Sequence, residues 1–452
     1  MNCRQTGTVW PQPSERRSPM NANAIAILGF VALFALMLLR VPVGIAMGLV
    51  GVVGFGYLNQ DWSSALSLVA QSPIRTVADM QFAVIPLFLL MGAFASATGM
   101  SRELFRASNA FVGHHRGGLG IATIAACGGF AAICGSSVAT AATFSSVAYP
   151  EMRRYGYPQS FSTGVIAAGG SLGIMIPPST VLAVYGLITE QDIGKLFIAG
   201  VLPGLLAVSM YILTINVIGF VRRGFLPAGE RCSMRERLAS LRDIWAVILL
   251  FLFIIGGLYG GLFTATEAGA MGAGGAFLIG IARRKLSFQQ FMGALIESLR
   301  TTAAIFMILI GALLFGYFMT ITQAPQTLTT WLTGLGIGPY GVLALILLMY
   351  VLLGSVMDAM AMIILTVPIV FPLVMQLGFD PIWFGIVVVV TVELGLITPP
   401  VGMNVFVIKG VVRDARLATI FLGIAPFVLT DIIRLIVLVA FPSISTWLPG
   451  KM

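Results

Sequence analysis

Charge is what this 452-residue chain has least of. Aspartate, glutamate, lysine and arginine together make up 10% of it, while 58% is hydrophobic. A soluble domain carries about a quarter of its residues as charge, so water is not the main solvent here and a soluble globular enzyme is excluded. There are only two histidines and four cysteines. Cys3, Cys127, Cys134 and Cys232 form neither a CxxC pair nor a Cys/His cluster, which removes a zinc site and a disulfide framework. No GxxxxGK[ST] loop occurs, so nothing here drives work with a nucleotide, and an ion gradient must supply the energy of any transport. No nucleophile and base share a recognisable pattern either, which argues against an intramembrane enzyme. Acidic residues are outnumbered 17 to 26 by lysine and arginine, a formal charge of +9. The cations sit in short clusters between apolar runs, as the positive-inside rule demands, and not on one basic face; nucleic acid is therefore not a partner, whereas membrane lipid is.

Long apolar runs are abundant. A bilayer-spanning helix needs about 20 mostly apolar residues, and such runs lie near 22–39, 41–58, 82–99, 161–188, 193–221, 244–263, 266–281, 302–322, 381–410 and 418–441. Two further stretches, 119–149 and 341–377, hold Gly, Ser and Thr in their middles and are long enough for two half-membrane helices with a tip. They read as re-entrant hairpins. The basic clusters at Arg40, 102–116, 153–154, 222–242, 283–285 and 409–416 all fall on one side of this layout, the cytoplasmic one. The expectation is thus an all-α polytopic membrane protein with about ten crossings and two hairpins. Residues 1–21 form a polar extension, whose first 19 residues read either as preceding a natural start at Met20 or as a real tail that avoids the cytoplasm; 224–243 form a cytoplasmic loop and 442–452 a short tail.

The two halves echo one another. Gly173-Ile174-Met175-Ile176-Pro177-Pro178 recurs as Gly395-Leu396-Ile397-Thr398-Pro399-Pro400, a shift of 222 residues, and a similar shift carries the spans and hairpin of 22–223 onto those of 244–441. Five crossings per half is an odd number, so the second half enters the membrane inverted. Inverted-topology repeats are a feature of secondary transporters, whose sites lie at mid-depth where broken helices of the two halves meet.

Proline lacks an N–H and disfavours helix in the residue before it, so each Pro-Pro pair breaks the helix around it. Each break is expected to free two carbonyls, those of Gly173 and Ile174 in 161–188 and of Gly395 and Leu396 in 381–410. Oxygen ligands at membrane depth suit a small hard cation, with hydroxyls of Ser171, Ser179, Thr391 and Thr398 beside them. The hairpin tips add Ser136, Ser137 and Thr140 in one half and Gly354, Ser355 and Asp358 in the other, where half-helix N-termini favour an anionic substrate. A plain packing kink, or hydroxyls bonded to their own helix carbonyls, is the competing reading of each. Glu267, Asp358 and Glu393 are the carboxylates within apolar runs, none with an obvious local cation; for Glu267, helix capping by Thr264 or Thr266 serves equally well. His114 and His115, next to Arg116, read as an interfacial arm.

These motifs resemble the large membrane subunit of TRAP transporters, the tripartite ATP-independent periplasmic carriers. The resemblance runs from about residue 22 onward, through 134–144 (CGSSVATAATF), 149–152 with Tyr155-Gly156-Tyr157, 169–179 (GGSLGIMIPPS), 264–269 (TATEAG) and 395–406 (GLITPPVGMNVF). Ala265 stands where the family has proline, and Ser171 where threonine is frequent. The resemblance implies a sodium-coupled importer of an organic acid, such as a C4-dicarboxylate or sialic acid, in the bacterial inner membrane. It implies an elevator mechanism of the ion-transporter type. It implies two partners, a periplasmic substrate-binding protein and a small four-helix membrane subunit. Carried over, substrate-binding positions fall on Ser136, Ser137, Thr140, Ser179, Asp358 and Asn404, and sodium-binding positions on Ser171, Gly173, Pro177, Gly354, Thr391, Gly395, Thr398 and Pro399. A stand-alone sodium/carboxylate symporter, without a binding protein, is the alternative.

Overall fold

The computed structural model describes residues 22–334 and 336–451; the expected extension 1–21 lies outside them. In hydrocarbon every backbone N–H and C=O must be satisfied within its own segment, and helices do this locally. Accordingly, the regular elements among the described residues are helices, with one isolated bridge between Arg116 and Ala228.

The first half runs α1 (Ala22–Leu38), α2 (Val43–Asn59), α3 (Trp62–Ala78), α4 (Val84–Ala97), α5 (Met100–Val112), α6 (Gly118–Cys134), α7 (Ser137–Arg154), α8 (Gln159–Ser171), α9 (Thr180–Thr189) and α10 (Ile193–Val221). A polar linker helix, α11 (Met234–Asp243), follows, started by a capping box between Ser233 and Glu236. The second half repeats the series: α12 (Trp245–Tyr259), α13 (Ala265–Ala282), α14 (Phe288–Thr322), α15 (Ala324–Gly334), α16 (Gly338–Gly354), α17 (Ala359–Gln376), α18 (Pro381–Ile397), α19 (Met403–Val411) and α20 (Leu417–Ala440), before a short α21 (Ser443–Thr446).

Packing repeats along with the order. Helix α2 lies on α14 and its counterpart α13 lies on α4; α7 meets α19 while α9 meets α17; α8 meets α20 and α10 meets α18. Each half therefore completes the other across a pseudo-two-fold relation. Hairpins α6/α7 and α16/α17 and the broken pairs α8/α9 and α18/α19 lie within the large core. A smaller core joins α1, α2 and the end of α14 to the start of α17. Helices α12 and α20 turn Leu249, Leu252, Leu422, Leu429 and Ile436 outward, as lipid-facing helices do.

Six helices are individually long and apolar enough to cross a bilayer, seven if the bent pair α11/α12 is one span. The apolar helices α1, α2, α6, α16 and α18 have 17 residues each, about 25 Å of rise. In two places the layout differs from the hydropathy reading. The segment 59–81, expected as a loop, contains α3, whose start Asp61 caps by accepting from the amides of Ser63 and Ser64 at 2.9 and 3.3 Å. The span expected at 302–322 begins at Phe288 and continues unbroken for 35 residues. Its first-half counterpart is divided, because Asp79 is extended and caps Gln81. An amphipathic helix at an interface carries too many polar residues to stand out in a hydropathy window.

Candidate functional site

Each hairpin tip rests on the broken helix of its own half. In the first, α6 ends at Gly135, left-handed at φ +63°, and Ser136 caps α7 by accepting from the Ala139 amide at 3.3 Å. Thr180 Oγ1 donates to the Gly135 carbonyl at 2.7 Å, pinning the tip to the start of α9. Gly173 closes the contact from the other side, since a Cβ there would collide with the Ser136 carbonyl oxygen and lie 2.8 Å from Thr140 Oγ1. In the second half Gly354 and Gly395 face each other, and a Cβ at Gly395 would come within 2.8 Å of the Gly354 Cα. The Gly402 amide donates to the Ser355 carbonyl at 3.0 Å. Asp358 caps α17, accepting from the amides of Met360 and Ala361 at 2.9 and 3.1 Å. Both breaks carry a cis peptide, Pro177-Pro178 and Pro399-Pro400.

The halves meet where Ser137 Oγ donates to Asn404 Oδ1 at 3.3 Å, both side chains buried. Asn404 Nδ2 is also buried and has no partner among the described residues. Hairpin tip, opposite helix start and a free amide donor thus converge on one point between α7 and α19. That is a place an anionic group could be held.

Two of the four carbonyls expected to be free are taken. Ser179 Oγ donates to the Ile174 carbonyl at 2.5 Å while accepting from the Leu182 amide at 3.2 Å. The Gly395 carbonyl accepts from the Thr398 amide at 3.0 Å. The carbonyls of Gly173 and Leu396 accept no hydrogen bond among the described residues. Among the expected hydroxyl ligands, Thr140 donates to Ser136 O, Thr391 to Val387 O and Thr398 to Leu394 O, at 2.8, 2.7 and 2.5 Å. Each keeps its lone pairs for a further partner. Ser171 is different: its hydroxyl donates to Ala168 O at 2.8 Å and meets Tyr211 OH at 3.2 Å, one turn back from the break.

The carboxylates also separate. Glu267 is exposed and forms a capping box with Thr264, accepting from that residue's amide at 2.8 Å, so its role is to start α13. Glu393 has no cation near it in sequence; Arg434 of α20 supplies one at 2.6 Å, and both are fully buried. Asp431 and Arg434, overlooked as intramembrane charges, lie three residues apart in the apolar run of α20. That interruption was the signal available for them.

Two hairpins seated on two broken helices, enclosed by apolar helices, define a polytopic membrane permease. Residues 30–444 match the family model described as the tripartite ATP-independent periplasmic transporter, DctM component, and the chain belongs to that family as a multi-pass protein of the inner membrane. It is 41% identical over 399 residues to the C4-dicarboxylate TRAP transporter large permease protein DctM of Pseudomonas aeruginosa, covering 86% of this chain and 93% of that one. Against the sialic acid TRAP transporter large permease protein SiaM of Vibrio cholerae it is 30% identical over 415 residues, 92% of this chain and 96% of the relative. The fold is also that of the crystal structure of the YdaH transporter of Alcanivorax borkumensis, with a TM-score of 0.62, 15% identity, and coverage of 86% of this chain and 90% of that one.

Proposed function

We propose that the chain imports an organic acid by sodium symport, with a periplasmic substrate-binding protein delivering the substrate and a small four-helix membrane subunit bracing it. The observation that carries this reading is the doubled arrangement of a hairpin tip seated on a break, with the unpartnered carbonyls of Gly173 and Leu396 beside hydroxyls of Thr140 and Thr398. Carbonyl and hydroxyl oxygens in an apolar surround are the ligands a hard cation takes. The carboxylate then sits between the half-sites, against Ser137 and the free Nδ2 of Asn404. Relatives named for C4-dicarboxylate and sialic acid support a carboxylate as the cargo.

The motion is an elevator: α6–α10 and α16–α20 carry the site past a frame of α1, α2, α4 and α12–α14. Support comes from the separate small core, where α1, α2 and the end of α14 pack together and meet the second hairpin chiefly at Met357, Ala361 and Leu365. A cavity of about 540 Å³ lined by Ile25, Leu28, Leu49, Val53, Tyr57 and Phe318 gives the frame an apolar face for the small subunit. Proteoliposomes holding the chain with both partners should accumulate the carboxylate bound by the receptor only under an inward sodium gradient. Equal uptake with that gradient collapsed, or with a proton gradient alone, overturns the coupling. Uptake without the receptor turns the reading to the stand-alone symporter.

A further inference from the structure

The pseudo-symmetry extends to residues that touch neither break. Ser171 and Glu393 are related by the same shift of 222 that relates Gly173 to Gly395. Each lies two residues before its half's glycine, one turn into the helix that is about to break. Tyr211 of α10 and Arg434 of α20 are related by a shift of 223, as are Gly200 and Gly423 of the same helices. These four side chains are joined in space through Asp431. Tyr211 OH gives its one proton to the Asp431 carboxylate, whose oxygens lie at 2.8 and 2.7 Å, so the 3.2 Å contact with Ser171 Oγ is a bond when Ser171 turns its proton from Ala168 O to Tyr211. Arg434 bonds Asp431 at 3.0 Å and Glu393 at 2.6 Å. The Arg434 guanidinium also stands 5.9 Å from the Tyr211 ring centroid. All five residues are buried.

Stability does not account for this cluster. Burying two carboxylates and a guanidinium carries a desolvation cost that well-packed apolar residues would avoid. The cluster is also incompletely satisfied, since Glu393 Oε1 and Arg434 Nε and Nη1 have no partner among the described residues. What hydrogen-bonded charge provides, and apolar contact does not, is directional registry. The chain of bonds starts on α8, crosses α10 and α20, and ends on α18, so it spans from the turn before one break to the turn before the other.

We propose that Ser171, Tyr211, Asp431, Arg434 and Glu393 are positioning residues that hold the two broken helices at a fixed spacing, so that the two half-sites form and move as one unit. The proposal rests on reading the breaks as the transport site. Tyr211→Phe is the discriminating substitution: it keeps the ring, its packing on Phe427 and both ion pairs, and removes only the hydroxyl linking the halves. Arg434→Met, by contrast, strands two buried carboxylates and is expected to fail at insertion.

In the purified protein, amide hydrogen exchange of segments 172–179 and 395–402 should quicken about fivefold at both breaks in Tyr211→Phe, the scale expected for one lost hydrogen bond. Ser171→Ala should give the same pattern at smaller amplitude, because it cuts only the Ser171–Tyr211 contact, and the double variant no more change than Tyr211→Phe alone, which already removes that contact. Exchange that is unchanged at the second break, or effects that add, would show local packing only and overturn the proposal. A sodium titration of uptake in the same variant should show half-saturation about fivefold higher with the maximal rate kept. If wild-type uptake ignores sodium, the sodium reading falls, and the exchange at the two breaks alone decides the network.

Discussion

The two breaks follow one path but are held differently. In the first, Pro177 and Pro178 are buried, Ser179 ties the incoming carbonyl of Ile174 to the start of α9, and Thr180 ties that start to the hairpin tip. In the second, Pro399 and Pro400 are exposed. Val401 occupies the position of Ser179 by the same 222-residue shift, and α19 starts after Gly402, a left-handed residue that offers no side-chain cap. Among the described residues one hydrogen bond joins each tip to its break, Thr180 to Gly135 in the first and Gly402 to Ser355 in the second. Duplication has thus conserved the geometry of a half-site while its fastening has diverged. The first break is the more buried and carries the extra Ser179 tie; the second is exposed and lacks it.

The largest effect should come from removing either break. Pro177-Pro178 or Pro399-Pro400 replaced by Ala-Ala would let the helix run on and satisfy the carbonyls of Gly173 or Leu396, so sodium-driven uptake should fall to background in both variants. A proline in a helix interior costs about 3 kcal/mol, so thermal stability should be unchanged or higher. Near-normal uptake in either variant would mean that its break is only a kink.

The difference between the halves should appear at the facing glycines. Gly173→Ala drives a methyl into the Ser136 carbonyl oxygen, in a tip whose break is also tied by Ser179. Gly395→Ala comes no nearer than 2.8 Å to Gly354, beside a break that carries Val401 in place of that serine. Overpacking a tight site costs about 1–3 kcal/mol, so loss of uptake on the order of a hundredfold is expected for Gly173→Ala and about tenfold for Gly395→Ala. Equal losses would contradict the asymmetry.

The smallest effects should come from the caps themselves. Ser179→Ala removes the cap of α9, worth about 1 kcal/mol, and should lower the melting temperature by about one degree with uptake reduced about fivefold. Val401→Ser supplies the hydroxyl that the second break lacks. It should raise the melting temperature slightly and slow transport, if the loose fastening is what opens; faster transport in this variant would assign the gate elsewhere.

How much of this was legible in the sequence differs from residue to residue. The helices that line the core, the hairpins around Ser136 and Ser355 and the breaks at Pro177 and Pro399 could be read from hydrophobic runs and from proline's missing N–H, which act on a few neighbouring residues. Glu267 could be read only as one of two alternatives, because a capping box and a buried ligand use the same residue types. Helix α3 escaped because its polar face dilutes the hydropathy that marks a span.

What the sequence alone determined is therefore the membrane environment, the helical elements, the repeat and the places where helices must stop, since each follows from local backbone chemistry and the periodicity of apolar residues. Only the tertiary structure decided who partners whom. It sent the Ser179 hydroxyl to Ile174, brought Ser137 to Asn404 across 267 residues of chain, and gave Glu393 its cation from 41 residues downstream. Such pairings depend on how the helices of one half pack against those of the other, and a hydroxyl or carboxylate carries no local mark of the partner that packing will bring to it.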